Sequence, residues 1–150
     1  MINRLIPEQI ANLWYILKPA IAKSLPPYIS EHEDRMNRIL TSCLCCQAEV
    51  WAYYDRLDDS NITLRGVAVT RIMIDDISNT KSLLIYALYG NGSLSDKFYL
   101  DGLKSIADYA KSKKCSNIIA YTTVPAIAKI AKNLGAEVSL FLTFKSIQNL

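Results

Sequence analysis

The chain has little of several features that commonly carry chemistry or direct a protein to a compartment. It has one histidine, His32, which lies between Glu31 and Glu33 and is expected at an exposed helix start, so no imidazole-based catalytic centre is predicted. Its apolar runs are interrupted well short of the roughly 18 residues that a membrane span needs, so no span is predicted. A net charge of +3 is too small to indicate nucleic acid by itself.

Cysteines are few, and their spacing excludes two common uses. Three of the four are crowded together at Cys43, Cys45 and Cys46, which is not the spread of a secreted disulfide framework. The three are also too close for a tetrahedral zinc site, which needs pairs in two places. We expect them in the core or at a helix end, and Cys115 at a strand entrance, within a reducing cytoplasm.

The chain is rich in apolar residues. It contains 150 residues, of which 51% are hydrophobic and 21% charged, which is typical of one domain with a real core, over residues 1–150. The N-terminus MINRLIPEQ has no apolar segment of the kind found in a signal peptide, so the chain is expected to stay where it is made.

Apolar periodicity predicts two helices followed by a three-strand meander. The strands are EVWAYYD, ITLRGVAVTRIMID and SLLIYALYG, separated by the turn-prone DDSN and DISNTK. The apolar phase changes within the middle strand, which predicts a bulge near Gly66. A capping box at Ser30 and Glu33 precedes the second helix. The first helix is expected to kink or end near Pro19. Its apolar stripe consists of Ile10, Leu13, Trp14, Leu17 and Ile21.

The second half predicts a crossover. An amphipathic helix ending in KSKK leads to a strand NIIAYTTV, a short helix from Pro125 to Gly135, and a final strand in which apolar residues alternate from Val138 to Phe144. The element order is therefore ααβββαβαβ, an α/β fold with a mixed sheet and helices on both faces. The residues expected to be buried are Leu84, Ile85, Leu103, Ile106, Ile119, Ile130 and Leu140.

Over nearly its whole length this order resembles the GNAT superfamily of acetyl-CoA-dependent N-acyltransferases. The closer similarity is to small GNAT-like proteins of tailed bacteriophages, including the internal-virion-protein type. It is carried by LWYILKPAIAKSL, EVWAYYD, GVAVTRI, YALYGNG, IADYAKSKKCSNI and IAKIAKNLGAE. The resemblance implies acetyl-CoA as cofactor, with its pyrophosphate on an Arg/Gln-x-x-Gly-x-Gly/Ala loop. That loop falls on the turn Gly90, Asn91, Gly92 and Ser93.

Three positions depart from the family pattern. Ala87 stands at the Arg/Gln position of the loop, and Ala131 stands where a tyrosine often donates a proton to the departing thiolate. Asp96 lies in the first turn of the following helix, where a carboxylate complements the helix dipole and repels a pyrophosphate. These departures favour a protein without catalytic residues.

Two hypotheses follow. The favoured one is a non-catalytic phage structural or assembly protein without cofactor or metal. It would act in the host cytoplasm or the virion through contacts with other phage proteins or with its own copies. The alternative is an acetyl-CoA-dependent N-acyltransferase with a divergent loop, in which backbone N–H groups of Asn91, Gly92 and Ser93 hold the pyrophosphate.

Other candidate residues have simpler interpretations. Glu49, Asp75 and Asp76 could serve as a base for an incoming amine, but acidic residues at strand ends are more often solvated. KSKK with Lys129 and Lys132 is typical of solvated helix ends, so nucleic-acid binding is not predicted. Four aromatic residues could form a ligand platform, although packing explains them better: Trp14, Trp51, Tyr53 and Tyr54.

Overall fold

The computed structural model describes residues 1–92, 94–122, 124–144 and 146–150. No helix in these ranges has the length and apolar character needed to cross a membrane. The elements are β1 (Asn3–Arg4), α1 (Pro7–Lys23), α2 (Glu33–Leu44), β2 (Glu49–Asp58), β3 (Asn61–Asp75), β4 (Thr80–Gly90), α3 (Asp96–Ser112), β5 (Asn117–Ala120), α4 (Pro125–Asn133) and a 3₁₀ turn (Ile147–Asn149).

The strands lie in the sheet in the same order as in the chain, β1-β2-β3-β4-β5. The first four pair antiparallel, and β5 pairs parallel with β4 after the α3 crossover. The predicted mixed α/β sheet, with the strand that ends at Gly90 between its antiparallel and parallel neighbours, is therefore confirmed.

Helices cover both faces of the sheet, as predicted. On one face α1 and α2 enclose the larger cluster of buried side chains, which includes Leu17, Ile21 and Met36 against Val50 and Val67. On the other face Ile106 and Ala110 of α3 pack on a smaller cluster, formed by Trp51, Ala68, Leu83 and Ile85. Since both faces are covered, the central strands are buried on both sides.

Two helix boundaries differ from the prediction. Helix α1 continues past Pro19 to Lys23. The N-cap of α2 is His32 rather than Ser30, because His32 has extended backbone and its Nδ1 accepts a hydrogen bond from the N–H of Asp34 at 3.2 Å. That bond satisfies one of the N–H groups in the first turn of α2 that have no carbonyl partner within the helix. Ser30 instead accepts hydrogen bonds from Arg35 through its carbonyl and hydroxyl oxygens.

Two bulges bend the sheet. Tyr53 pairs with Gly66 and Tyr54 with Leu64, which leaves Arg65 as an extra residue in β3 and confirms the bulge predicted near Gly66. In β4, Ala87 pairs with Val69 and Ile85 with Thr70, so the intervening Tyr86 is the extra residue. An extra residue is unpaired and increases the local bend.

The predicted final strand is wrong for the residues described. Residues 136–144 form no helix or strand, and Leu140 is 97% exposed. The alternation of apolar residues predicts a strand, but it does not identify a strand with which the segment could pair. Strand β5 is only four residues long, so the edge on which this segment would pair is short.

The burial predictions follow this difference. Leu84, Ile85 and Ile106 are buried. Leu103, Ile119 and Ile130 are only half-buried. For Ile119 in β5 this follows from the sheet edge, because among the described residues no further strand pairs with β5.

Candidate functional site

Strands β4 and β5 pair over one short stretch and then separate. The parallel pairs run from Ser82 with Asn117 to Ile85 with Ala120, whereas β4 continues alone to Gly90. The bulge at Tyr86 directly follows the last pair. Because a bulge bends its strand, the bulge at Tyr86 directs the second half of β4 away from β5.

A cleft of about 520 Å³ lies between the separated strands. Small-molecule sites commonly have volumes of about 300–1,000 Å³, so the cleft is large enough for a ligand. Its walls come from the end of α1, the second half of β4, the turn after it, the start of α3, the residues after β5, and α4. Lining residues used below are Lys23, Tyr89, Gly90, Gly92, Asp96, Tyr99, Tyr121 and Ile130.

The glycine turn forms one wall of the cleft, and both of its glycines are required by the backbone. A Cβ on Gly90 would lie 2.6 Å from the hydroxyl oxygen of Tyr99, which leaves no room for a side chain. Gly92 has a φ of 77°, in the left-handed region that favours glycine.

Asn91 fastens the turn to the sheet. Its N–H donates to the carbonyl oxygen of Arg65 at 2.8 Å, and its Nδ2 donates to that of Leu64 at 3.2 Å. The Asn91 N–H is thus engaged within the protein, so in this structure it is not available to an anion. Ser93, the fourth residue of the predicted loop, lies outside the described residues.

The electrostatics of the cleft are mixed. Helix α3 begins at Asp96, and Ser95 caps it by accepting a hydrogen bond from the N–H of Phe98 at 3.2 Å. The Asp96 carboxylate lies in the first turn, as predicted, and lines the cleft. Lys23, at the end of α1, supplies a positive charge to the same cleft. A cation in the same lining offsets the repulsion that Asp96 imposes on an anionic ligand.

The two alanines that depart from the family pattern lie outside the cleft lining. Ala87 is 2% exposed and packs in the larger core cluster beneath α1 and α2, where an arginine would be buried without compensation. Ala131 lies on α4, but its neighbour Ile130 is the residue that faces the cleft. The two alanines therefore do not determine which polar groups line the cleft.

Three tyrosines line the cleft and were missed by the sequence reasoning: Tyr89, Tyr99 and Tyr121. A signal for one of them was available. Tyr121 directly follows β5, and the carboxyl ends of parallel strands meet at the same edge of a sheet, where ligands commonly bind. Tyr99 had no comparable signal, because its contact with Gly90 depends on how α3 leaves the turn.

The carboxylates considered as bases do not line the cleft. Asp75 is the last residue of β3 and accepts hydrogen bonds from the N–H groups of Ile77 and Ser78 in the β3–β4 turn, both at 2.9 Å. These bonds, that from Ser78 first, lower the pKa of Asp75. Asp76 lies in the turn itself. Both residues are exposed, as the simpler interpretation predicts.

Glu49 is held in a hydrogen-bond network on the α3 face of the sheet. Its Oε1 accepts from the Tyr109 hydroxyl at 2.9 Å and its Oε2 from the Thr70 hydroxyl at 2.8 Å. Thr70 in turn accepts from Trp51 Nε1 at 2.9 Å. Burial and the bond to Glu49 raise the pKa of Tyr109 to about 12. With both carboxylate oxygens engaged, Glu49 is a structural residue.

Packing also explains the cysteines and the aromatic residues. Cys43 is buried in the larger cluster, and burial, with a smaller contribution from Glu49, raises its pKa to about 11. Cys45 and Cys46 are exposed at the end of α2, and Cys115 is half-buried. Trp14 and Tyr54 pack on the larger cluster, Trp51 belongs to the smaller, and Tyr53 stacks on Phe98. Within the described ranges, no three His, Cys, Asp or Glu side chains group as a metal site.

No family model and no curated protein matches the chain. Solved structures do match it. A predicted acetyltransferase from Clostridium acetobutylicum, solved with acetyl-CoA, has a TM-score of 0.67 at 14% identity, covering 95% of this chain and 96% of that one. A probable acetyltransferase has a TM-score of 0.66 at 14% identity, covering 96% and 95%. The chain has the GNAT fold.

Other GNAT structures agree on the extent of the match. Ribosomal-protein-alanine N-acetyltransferase from Brucella melitensis biovar Abortus has a TM-score of 0.62 at 15% identity, covering 96% of this chain and 99% of that one. The predicted GNAT fold is thus confirmed over nearly the full length of the chain. The closer similarity to phage proteins is not seen among these structures and stays a prediction.

Proposed function

We propose that this protein is an N-acyltransferase that takes acetyl-CoA in the cleft between β4 and β5. The observation that carries the proposal is the separation of the two strands at the Tyr86 bulge, with the glycine turn on the wall of the resulting cleft. Structural neighbours solved with acetyl-CoA or CoA support it. The virion-associated role favoured at first has no comparable supporting observation.

The open half of β4 suits the pantetheine arm of the coenzyme. Beyond Ile85 the strand has β3 on one side and no β5 partner on the other. A free strand edge presents N–H and C=O groups in the spacing that another strand would use. The two amides of an extended pantetheine can pair with such an edge in the same way as a peptide strand does.

The pyrophosphate is assigned to the turn after β4. Gly90 and Gly92 let the backbone approach closely, and Asn91 holds the turn to β3. At the start of α3 the N–H of Phe98 is bonded to Ser95, so we assign the N–H groups of Asp96 and Lys97 to the pyrophosphate. We assign Lys23 as the charged contact, in place of the Arg/Gln side chain that Ala87 cannot provide.

The chemistry requires few groups. The amine nitrogen of the acceptor attacks the thioester carbonyl carbon, the N–C bond forms, the C–S bond breaks, and the amine loses a proton to water. A backbone N–H released from the β3 ladder at Tyr86 is the donor we propose for the developing oxyanion. Tyr121, which directly follows the point where the strands separate, would donate a proton to the departing CoA thiolate and regain one from water.

The proposal is tested by titrating the protein with acetyl-CoA in a calorimeter, because no acceptor has to be known. Saturable one-to-one binding is expected, weakened in Lys23→Glu by the lost charge contact. Lys104→Glu is the matched control, since Lys104 is equally exposed but lies on α3 away from the cleft lining. A folded protein that shows no saturable binding, or equal weakening in both variants, would contradict the proposed site.

A further inference from the structure

Two arginines and three tyrosines lie together on the α1 and α2 face of the sheet, beside the cleft. We call this group the arginine patch: Arg35, Arg71, Tyr28, Tyr86 and Tyr121. Tyr28 belongs to the connection between α1 and α2, and its ring centroid is 5.8 Å from that of Tyr121, which lines the cleft. The patch is therefore continuous with the cleft.

The register of the sheet places Arg71 next to the bulge in β4. Val69 of β3 belongs to the larger cluster, so Arg71, two positions later in the strand, faces the same side. Arg71 pairs with Leu84, and Tyr86, which packs against the same cluster, is its diagonal neighbour on β4. Diagonal neighbours lie about 7–8 Å apart, which the side chain of an arginine can span.

Arg35 approaches the bulge from the first turn of α2. Its Nη1 donates to the carbonyl oxygen of Ser30 at 3.0 Å, which holds the guanidinium group against the α1–α2 connection. Burial and the nearby Tyr28 raise the pKa of Tyr86, whereas the positive charges of Arg35 and Arg71 act in the opposite direction. Because both charges act on one hydroxyl group, the two arginines converge on the bulge.

The positive charge of the patch is not neutralised by the described part of the chain. Neither arginine forms an ion pair with an acidic side chain there. Glu33, in the same helix turn as Arg35, pairs with Lys18 at 2.7 Å, and Asp34 lies 3.8 Å from the ring of His32. A guanidinium group without an acidic partner keeps N–H donors for a carboxylate, which it can bind through two parallel hydrogen bonds.

We propose that the arginine patch binds a carboxylate of the acceptor, so that the substrates of this protein are amines that also carry a carboxylate group. The inference rests on the proposed N-acyltransferase function. There the thioester carbonyl is assigned to the bulge at Tyr86, which is also where the two arginines converge. An acceptor whose carboxylate is held by the patch can therefore direct its amine toward that carbonyl.

The aromatic rings beside the patch suit the amine end of such a substrate. Phe141 lies 5.6 Å from Tyr28 and 5.2 Å from Tyr121, measured between ring centroids. These rings offer an apolar surface next to the cleft. Apolar surroundings disfavour the charged ammonium form, and the neutral amine is the form that attacks a thioester.

The first test compares acceptors that differ mainly in the carboxylate, with release of the CoA thiol as the measurement. The common α-amino acids are each compared with their α-amides, and kcat/KM is expected to be at least about tenfold higher for the preferred acids. A tetrapeptide amide that begins with two aspartates, compared with one that begins with two asparagines, shows whether the carboxylate comes from a free amino acid or an acidic peptide.

Arg71→Gln is the variant for this test, because Arg71 is exposed and its loss is expected to leave the fold intact. It is expected to raise KM for the acids at least about tenfold with kcat unchanged, and to remove the preference over the amides. Arg56→Gln is the matched control, since Arg56 is also an exposed strand arginine but pairs with Asp59 near the β2–β3 turn. Acids and amides used equally well, no use of any acid or acidic peptide, or equal effects of both variants would overturn the proposal.

The second test needs no coenzyme and separates this proposal from the proposed function. Saturation-transfer NMR on the protein without acetyl-CoA is expected to show transfer to the acids and not to the amides, and to show none in Arg71→Gln. No transfer to any acid, or undiminished transfer in Arg71→Gln, would overturn the arginine patch as a carboxylate site. Acids bound by a protein that does not bind acetyl-CoA would contradict the proposed function alone.

Discussion

The residues up to Ala110 and the residues after it differ in how they use apolar side chains. All the buried residues of the described chain lie in the first part, and most of the apolar ones form two clusters on opposite faces of the sheet. After Ala110 no described residue is buried, although α4 and residues 138–144 are rich in Ile, Leu and Val. The first part therefore supplies most of the free energy of folding, and the second part supplies one wall of the cleft.

The largest expected effect tests this division directly. Ile106→Ala, in α3 over the smaller cluster, is expected to lower the free energy of unfolding by about 2–5 kcal/mol, because it leaves a cavity beside buried residues. Ile130→Ala, on the cleft side of α4, is expected to cost about 1 kcal/mol or less, because its site is already open to solvent. Urea denaturation measures both. Equal losses would show that the second part shares the core.

The next effect concerns the turn that joins the two parts. Gly90→Ala is expected to cost about 1–3 kcal/mol, since the added methyl group collides with the Tyr99 hydroxyl. Tyr99→Phe in the same protein removes the colliding oxygen and should recover much of the loss. Thermal unfolding of the single and double variants decides between this contact and general damage. No recovery in the double variant would place the strain elsewhere.

A smaller effect is expected at the neighbouring residue. Asn91→Ala removes the side-chain hydrogen bond to Leu64 and is expected to cost about 0.5–1.5 kcal/mol in urea denaturation. This bond joins residues 27 positions apart in the chain, so no local sequence pattern indicates it. A loss within about 0.3 kcal/mol of zero would show that the turn is held by the backbone bond alone.

The smallest effect is a pH dependence confined to the first part. The pKa of Tyr109 is raised from 10.0 to about 12, so the folded state favours the neutral phenol. Its contribution to stability is fully present below pH 10 and is lost as pH rises through 12. Tyr109→Phe is expected to flatten the stability profile between those values, measured by denaturation at fixed pH. A profile unchanged by the substitution would remove Tyr109 from the buried network.

The same division separates what the sequence predicts from what it does not. The meander, the crossover and the bulge near Gly66 rest on local patterns, in which alternation and turn residues act over a few positions. The cleft depends on where β5 stops pairing relative to the Tyr86 bulge, which is a property of two strands far apart in the chain. Residues 138–144 show the limit most clearly. Alternation from Val138 to Phe144 indicates an apolar face but not the surface that covers it.

The agreement between strand order in the sheet and order along the chain has a consequence for biosynthesis. Since each strand pairs with the one made just before it, the contacts of β2, β3 and β4 close short loops, which favours fast folding. At about 5–20 residues per second, translation of the 40 residues after Ala110 takes roughly 2–8 s. The nascent sheet can collapse within that time. Helix α4 would then pack against a sheet that has already formed.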